Sequence, residues 1–336
     1  MTQLLANERS RMPDDRSPAL LLIGHGSQSS AGVAQFWELA ARVRRKSPDL
    51  RQGAGFIEWA EPALDDAIDA LVNEGARAVV AVPLVLLGAG HRKDDGPAAL
   101  ARARLRHRGV TFTYARELGV DPSVLSVAEE RIRSANTSRM RATGAADHAV
   151  VLVGRGSTDP DANADLYKVA RLLADSRGVA MPAASPKDAA VASRASRDAQ
   201  SIDPRSSRVA PGHLSMIEPA FISLAAPSVE DALDRCELLG AKSIAVVPYF
   251  LFTGVLVDRI GAKSREWESK HSGVEVSIGK ELGPDPRIVA LVLERYSEAV
   301  NGRATINCDC CIHRVPLPGY EERVRAPLAL TRARNC

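Results

Sequence analysis

The residues with the clearest chemistry are two histidines, two glutamates and a stretch of small residues, and each lies where a strand-like run ends. The first set reads Leu20-Leu21-Leu22-Ile23-Gly24-His25-Gly26-Ser27, then Gly55-Phe56-Ile57-Glu58-Trp59-Ala60-Glu61-Pro62, then Val79-Val80-Ala81-Val82-Pro83-Leu84 running to His91. The pattern then recurs as Val150-Val151-Leu152-Val153-Gly154-Arg155-Gly156-Ser157, Ala220-Phe221-Ile222-Ser223 with Ala226-Pro227, and Ile244-Ala245-Val246-Val247-Pro248-Tyr249. It closes with Glu281-Leu282-Gly283 against Glu117-Leu118-Gly119. Arg155 falls opposite His25 and Leu256 opposite His91, so both imidazoles are lost together. A duplicated scaffold with chemistry in one half is the simplest account.

His25 follows a strand and is flanked by glycines, which projects its side chain from the carboxyl edge of a sheet, where open α/β folds place ligands. His91 sits just past another strand, in Leu86-Leu87-Gly88-Ala89-Gly90-His91, where glycines let backbone approach a flat ligand. Two neutral imidazoles on one cleft suit a borderline divalent ion such as Co²⁺, Ni²⁺ or Fe²⁺. So few protein ligands hold a metal loosely, which fits delivery better than retention. Glu58 and Glu61 can add a carboxylate ligand or a proton acceptor, and beside Pro62 each reads equally well as a cap or a solvated group. Ser27 lacks the Gly-x-Ser-x-Gly elbow of a hydrolase, and Gln28, Ser29 and Ser30 stand where a phosphate-binding glycine loop would continue.

These side chains need a scaffold, and the hydrophobic pattern supplies one. Both copies alternate β-branched runs with amphipathic stretches, the mark of parallel βαβ units. The spacing predicts strands at Leu20 to Ile23, Gly53 to Ile57, Val79 to Leu87 and Val110 to Ala115. It predicts helices at Ala31 to Lys46, with Phe36, Leu39, Ala40 and Val43 on one face, Ala63 to Asn73 opened by Pro62 and stopped by Gly75, Pro97 to Arg106, and Pro122 to Arg133. Each half is an α/β unit with a four-stranded parallel sheet between helices. Gly24 pairs with Gly154 at an offset of 130 residues but Phe56 with Phe221 at 165, so the second copy carries 35 extra residues between them. They fall in about 180–213, rich in Ala, Ser, Pro, Asp and Arg without apolar period, and are expected to be a disordered loop. The expected organisation is an arm over 1–18, a first lobe over 19–133, a linker over 134–147, a second lobe over 148–300 and a cysteine-containing tail over 301–336.

At 336 residues, with 25% charged and 45% hydrophobic residues, the chain has room for two ordinary globular lobes. No apolar run approaches the roughly 20 residues that span a bilayer, and the polar N-terminus lacks a signal core, so no membrane partner and a cytoplasmic address are expected. A net charge of +3 gives a weak global field. Arg102, Arg104, Arg106 and Arg108 with His107 form a basic stretch read as a solvated face, and no nucleic-acid partner is expected. Four of the five cysteines lie in the last 29 residues, which points to a local metal or redox element and away from a disulfide framework, while Cys236 is expected buried in a helix.

Taken together, Gly-His-Gly-Ser, Phe-Ile-Glu-x-x-Glu-Pro, the block from Val82 to Asp95 and Leu118-Gly119 resemble the sirohydrochlorin cobaltochelatases of the cobalamin pathway, which are ATP-independent class II chelatases. The resemblance covers roughly residues 19 to 133 and 148 to 300. It extends into the tail, where Asn307-Cys308-Asp309-Cys310-Cys311 and Arg314 to Gly319 resemble the long form's cysteine element. It implies two tandem chelatase-like (flavodoxin-like) lobes that insert Co²⁺ into the tetrapyrrole sirohydrochlorin. His25 would bind metal and accept a pyrrole proton, and His91 would be the second metal ligand. Glu58 or Glu61 and the backbone of Leu86, Leu87, Gly88, Ala89 and Gly90 would lie against the macrocycle. Rim cations such as Arg92, Lys93 or Arg116 would meet its carboxylates. The second lobe would enclose substrate without a second metal site, in a monomer or weak homodimer. Cys308, Cys310 and Cys311 would hold an iron–sulfur cluster. The same residues leave open Fe²⁺ for sirohaem, Ni²⁺, or a binding protein without catalysis.

Overall fold

The computed structural model describes residues 17–88, 90–135, 148–176 and 216–303, and only the backbone of 90–94. Nearly all of the expected arm, most of the linker, the 180–213 insertion and the cysteine tail lie outside the described residues. The described elements run β1 (Ala19–Gly24), α1 (Ser30–Lys46), β2 (Gln52–Phe56), α2 (Leu64–Asn73), β3 (Ala78–Pro83), α3 (Gly90–Arg106), β4 (Thr111–Tyr114) and α4 (Pro122–Ala135). The second lobe follows as β5 (His148–Gly154), α5 (Pro160–Ser176), β6 (Met216–Phe221), α6 (Val229–Leu238), β7 (Ser243–Pro248), α7 (Val255–Lys270), β8 (Glu275–Ile278) and α8 (Pro286–Val300).

The two sheets have the same order, β2-β1-β3-β4 and β6-β5-β7-β8, with every pair parallel. Successive strand residues point to opposite faces, and in the inner strands β1, β3, β5 and β7 both faces are covered, so these read as nearly continuous apolar runs. Leu20 and Leu22 enter a central core while Ala19, Leu21 and Ile23 enter an outer one with α2 and α3. Val150 and Leu152 enter the same central core, and Ala149, Val151 and Val153 pack outward. The lobes therefore share one apolar layer.

That layer is built by exchange. Helix α8 packs on β3, β4 and α1 of the first lobe, and α4 packs on β7 and α5 of the second. Two arginines fasten the exchange. Arg295 of α8, fully buried, donates to the carbonyls of Glu117 and Leu118 and to Asp121 at 2.7 Å. Its counterpart Arg131 of α4 donates to the carbonyls of Glu281 and Leu282 at 2.9 and 2.7 Å and lies 3.7 Å from Asp285. Asp121 and Asp285 also accept the backbone N–H groups of Ser123 and Arg287 at the starts of the exchanged helices.

Most expected ends lie within one or two residues of the observed ones, and three expectations are corrected. Strand β3 leaves the sheet at Pro83, where the Val85 N–H turns back to the Pro83 carbonyl, although Leu84, Val85 and Leu86 stay buried. Helix α3 starts seven residues ahead of Pro97 and runs through it, because the polar stretch before Pro97 gives no apolar period to reveal a helix. Pro62 does not open α2. Ala63 is the cap, and the Pro62 carbonyl accepts from Phe56 N–H, so the proline belongs to the end of β2.

Candidate functional site

His25 is placed by backbone pairing that continues past the ends of β1 and β2. Ile57 N–H donates to the Gly24 carbonyl and Glu58 N–H to the His25 carbonyl, both at 3.0 Å. Gly26 makes this approach feasible: its φ is +96°, and a Cβ there would sit 1.6 Å from the Glu58 carbonyl oxygen. Ser29 then caps α1, and Ser27 Oγ accepts the Ser29 N–H, a loop-forming role rather than a nucleophile's.

The result is a close pair at the carboxyl edge of the first sheet. His25 Nε2 lies 2.9 Å from Glu58 Oε1, with side chains 27% and 45% exposed, so the pair is within reach of both a ligand and solvent. His25 Nδ1 is buried. An imidazole held by a carboxylate can take up a proton and pass it outward, and the carboxylate stabilises the cation so formed. Glu61 is not brought into this pair. It is exposed, and its carboxylate accepts the Ala63 N–H at 3.1 Å, at the N-terminus of α2 where negative charge is favoured.

His91 is the second residue of α3, which begins just past the loop after β3, on the same edge as His25. Its ring lies outside the described residues, as does Ala89, while Gly90 opens the helix. Leu86 sends its side chain into the central core, so only its backbone is available to a ligand, whereas Leu87 and Gly88 are partly exposed. Arg116 is not available at the rim. It grips Glu298 of α8 through two bonds of 2.8 Å, and this pairing holds the guanidinium above and the carboxyl below their ordinary values. The basic stretch on α3 is likewise engaged: Arg102 and Arg106 pair with Asp65, and Arg106 and His107 with Asp69, all on α2. Burial pushes the Cys236 thiol up to about 12, which leaves it a packing residue. Among the described residues no three His, Cys, Asp or Glu side chains gather into a metal cage. Cys308, Cys310 and Cys311 lie outside the described residues.

The second lobe reproduces the backbone of this site without its histidines and glutamates. Ile222 and Ser223 donate to the carbonyls of Gly154 and Arg155 as Ile57 and Glu58 do in the first lobe, and a Cβ on Gly156 would meet the Ser223 oxygen at 1.9 Å. In this register Arg155 replaces His25, Ser223 replaces Glu58, Ala226 replaces Glu61, and Leu256, the second residue of α7, replaces His91.

Sequence reading missed what the second lobe brings to the first lobe's site. The loop after β7 seats on the start of α1: Thr253 N–H donates to Gln35 Oε1 at 2.8 Å, and Phe252 packs edge-on to Phe36 with centroids 6.0 Å apart. Gln35 Nε2 in turn donates to Glu281 at 2.7 Å. No local signal marks these contacts, because the partners are more than 200 residues apart in the chain.

The sequence pattern of the CbiX family matches residues 19–135 and 193–299. A sirohydrochlorin cobaltochelatase of Priestia megaterium is 30% identical over 298 residues, covering 88% of this chain and 85% of that protein. A sirohydrochlorin ferrochelatase of the same organism is 27% identical over 246 residues, covering 73% of this chain and 77% of that protein. The solved structure of SirB from Bacillus subtilis with Fe³⁺ superposes with a TM-score of 0.65 at 23% identity, over 87% of this chain and 100% of the other, a likeness of fold.

Proposed function

Because this chain belongs to the CbiX family, we propose that it is a sirohydrochlorin chelatase, and that its physiological metal is Co²⁺, delivered without ATP during cobalamin synthesis. The observation that carries the reading is the His25–Glu58 pair, present in one lobe and replaced by Arg155 and Ser223 in the other. Inserting a dication into the macrocycle releases two pyrrole protons, and an imidazole of ordinary pKa about 6.5 can take a proton and give it up again near neutrality. His25 accepts the proton, Glu58 stabilises the imidazolium, and the half-exposed carboxylate opens the route to water. The metal is substrate, so an open pair that releases it serves better than a closed cage. His91, one position into α3, is the second ligand in this reading. Residues 19–133 supply the chemistry, residues 148–300 close over the macrocycle, and one chain suffices for the cleft.

Two relatives bearing different metals in their names make Fe²⁺ for sirohaem the second reading. The test is anaerobic incubation of the purified chain with sirohydrochlorin and Co²⁺, Fe²⁺ or Ni²⁺, following the metallated spectrum against a no-protein control. Cobalt inserted fastest supports the assignment; iron fastest moves the chain to sirohaem synthesis; no acceleration by folded protein defeats the chelatase reading.

A further inference from the structure

Trp59 occupies a conformation that its own side chain opposes. Its φ is +64°, and the Ala60 N–H donates to the Glu58 carbonyl at 2.9 Å, which makes Glu58-Trp59-Ala60 a γ-turn of the rare, positive-φ kind. A bulky residue there is a true outlier, since its Cβ crowds the backbone. Burial does not offset this, because Trp59 is 62% exposed. The turn itself is dictated from both sides, by Glu58 N–H on His25, by the Glu58 carbonyl over Gly26, and by Phe56 N–H on Pro62. The backbone thus requires a turn that glycine would satisfy, yet tryptophan stands in it, held out to solvent beside the His25–Glu58 pair.

The second lobe performs the control. Three positions given metal or proton chemistry in this reading have gone, as Arg155, Ser223 and Leu256 show, yet the turn persists with Leu224 at φ +60° and 61% exposure and with Ala225 N–H on the Ser223 carbonyl at 2.7 Å. A large exposed apolar side chain at the strained turn survives where the metal chemistry does not. Its role is therefore separable from the metal.

We propose that Trp59, with Leu224 as its counterpart in the second lobe, is a positioning residue that holds the flat face of the tetrapyrrole ring, presenting the ring's nitrogens to His25. This rests on the chelatase reading. An indole offers a broad, rigid face to a conjugated ring at small entropic cost, and Trp59 directly follows Glu58, the partner of His25.

The experiment titrates metal-free sirohydrochlorin into the full chain under anaerobic conditions and reads Kd from ligand absorbance and tryptophan emission. Trp59→Gly should raise Kd about tenfold and Leu224→Gly by a smaller factor, while Trp59→Phe keeps most of the affinity. Emission quenching should be weakened most in Trp59→Phe and less in Trp37→Phe or Trp267→Phe. In metal insertion Trp59→Gly should raise KM far more than it lowers kcat. Because glycine relieves the positive φ, both glycine variants should melt at or above the parent temperature. An unchanged Kd in either glycine variant overturns the assignment for that residue, and a lowered melting temperature would show a structural role instead. A parent chain that binds no sirohydrochlorin fails the chelatase reading itself, and this inference with it.

Discussion

At the scale of single residues, the proposed site centres on an imidazole 2.9 Å from one carboxylate. His25→Ala should lower metal insertion by about 100-fold or more, the usual worth of a placed acid–base group, while tetrapyrrole binding measured by absorbance is retained. Unchanged insertion would remove His25 from the mechanism. Glu58→Gln can still accept a hydrogen bond but carries no charge to stabilise an imidazolium, so its insertion rate should fall relative to the parent. Glu61→Gln should leave insertion near the parent rate, since that side chain caps the start of α2. Arg295 is a residue of a different kind. It is fully buried against Asp121 and two carbonyls, so Arg295→Ala strands a carboxylate and should cost about 3–5 kcal/mol in urea unfolding. Arg295→Lys should recover only part of this, because an ammonium cannot reproduce the planar fork.

Among the elements, the strand-to-helix turns do the positioning. Gly26 and Gly109 share a left-handed backbone, at φ +96° and +94°, but a Cβ on Gly26 collides with the Glu58 carbonyl whereas a Cβ on Gly109 meets nothing within 4 Å. Gly26→Ala should therefore displace Glu58 and abolish insertion. Gly109→Ala should cost only about 1 kcal/mol and leave insertion unchanged, read by thermal melting beside the metallation assay. Loss of insertion in both, or in neither, would disconnect the turn from the chemistry. Most elements were legible because their faces are regular: Phe36, Leu39 and Val43 recur at helical spacing and are buried, while Ala40 on the expected face is only partly so. The helix before Pro97 was not, since its first turns are polar and a proline imitates a start.

The whole molecule is held together by the exchange of α4 and α8, whose ionic fastenings should fail in acid. Burial opposes ionisation of Asp121, but the Ser123 N–H and Arg295 outweigh it and hold its carboxyl below the ordinary range; Arg287 does the same for Asp285, and Arg116 for Glu298. Carboxyls depressed in the folded state stabilise it fully above their unfolded pKa of about 4 and lose that contribution as pH falls through the folded value. Melting temperature should thus stay nearly level from pH 7 to 5 and drop below about 4, and the drop should be shallower in Asp121→Asn with Asp285→Asn. The first lobe expressed alone would leave the apolar face of α4, with Val124, Val127, Ala128 and Ile132, without its partner sheet. It should elute as a dimer or aggregate in size-exclusion chromatography, and a stable monomer would contradict the exchange.

By itself the sequence determined the two four-stranded parallel sheets, the duplication and the edge on which His25 lies. Those follow from local periodicity and from glycines that a turn requires, and such signals are written over a few neighbouring residues. Only the tertiary structure decided that Glu58 and not Glu61 pairs with His25, that Arg116 serves Glu298, and that each lobe's last helix crosses to the other sheet. These are choices between partners of equal type, Glu58 against Glu61 or one apolar helix face against another. Residue type and spacing cannot rank them; the rigid geometry of turns and the single shared core do.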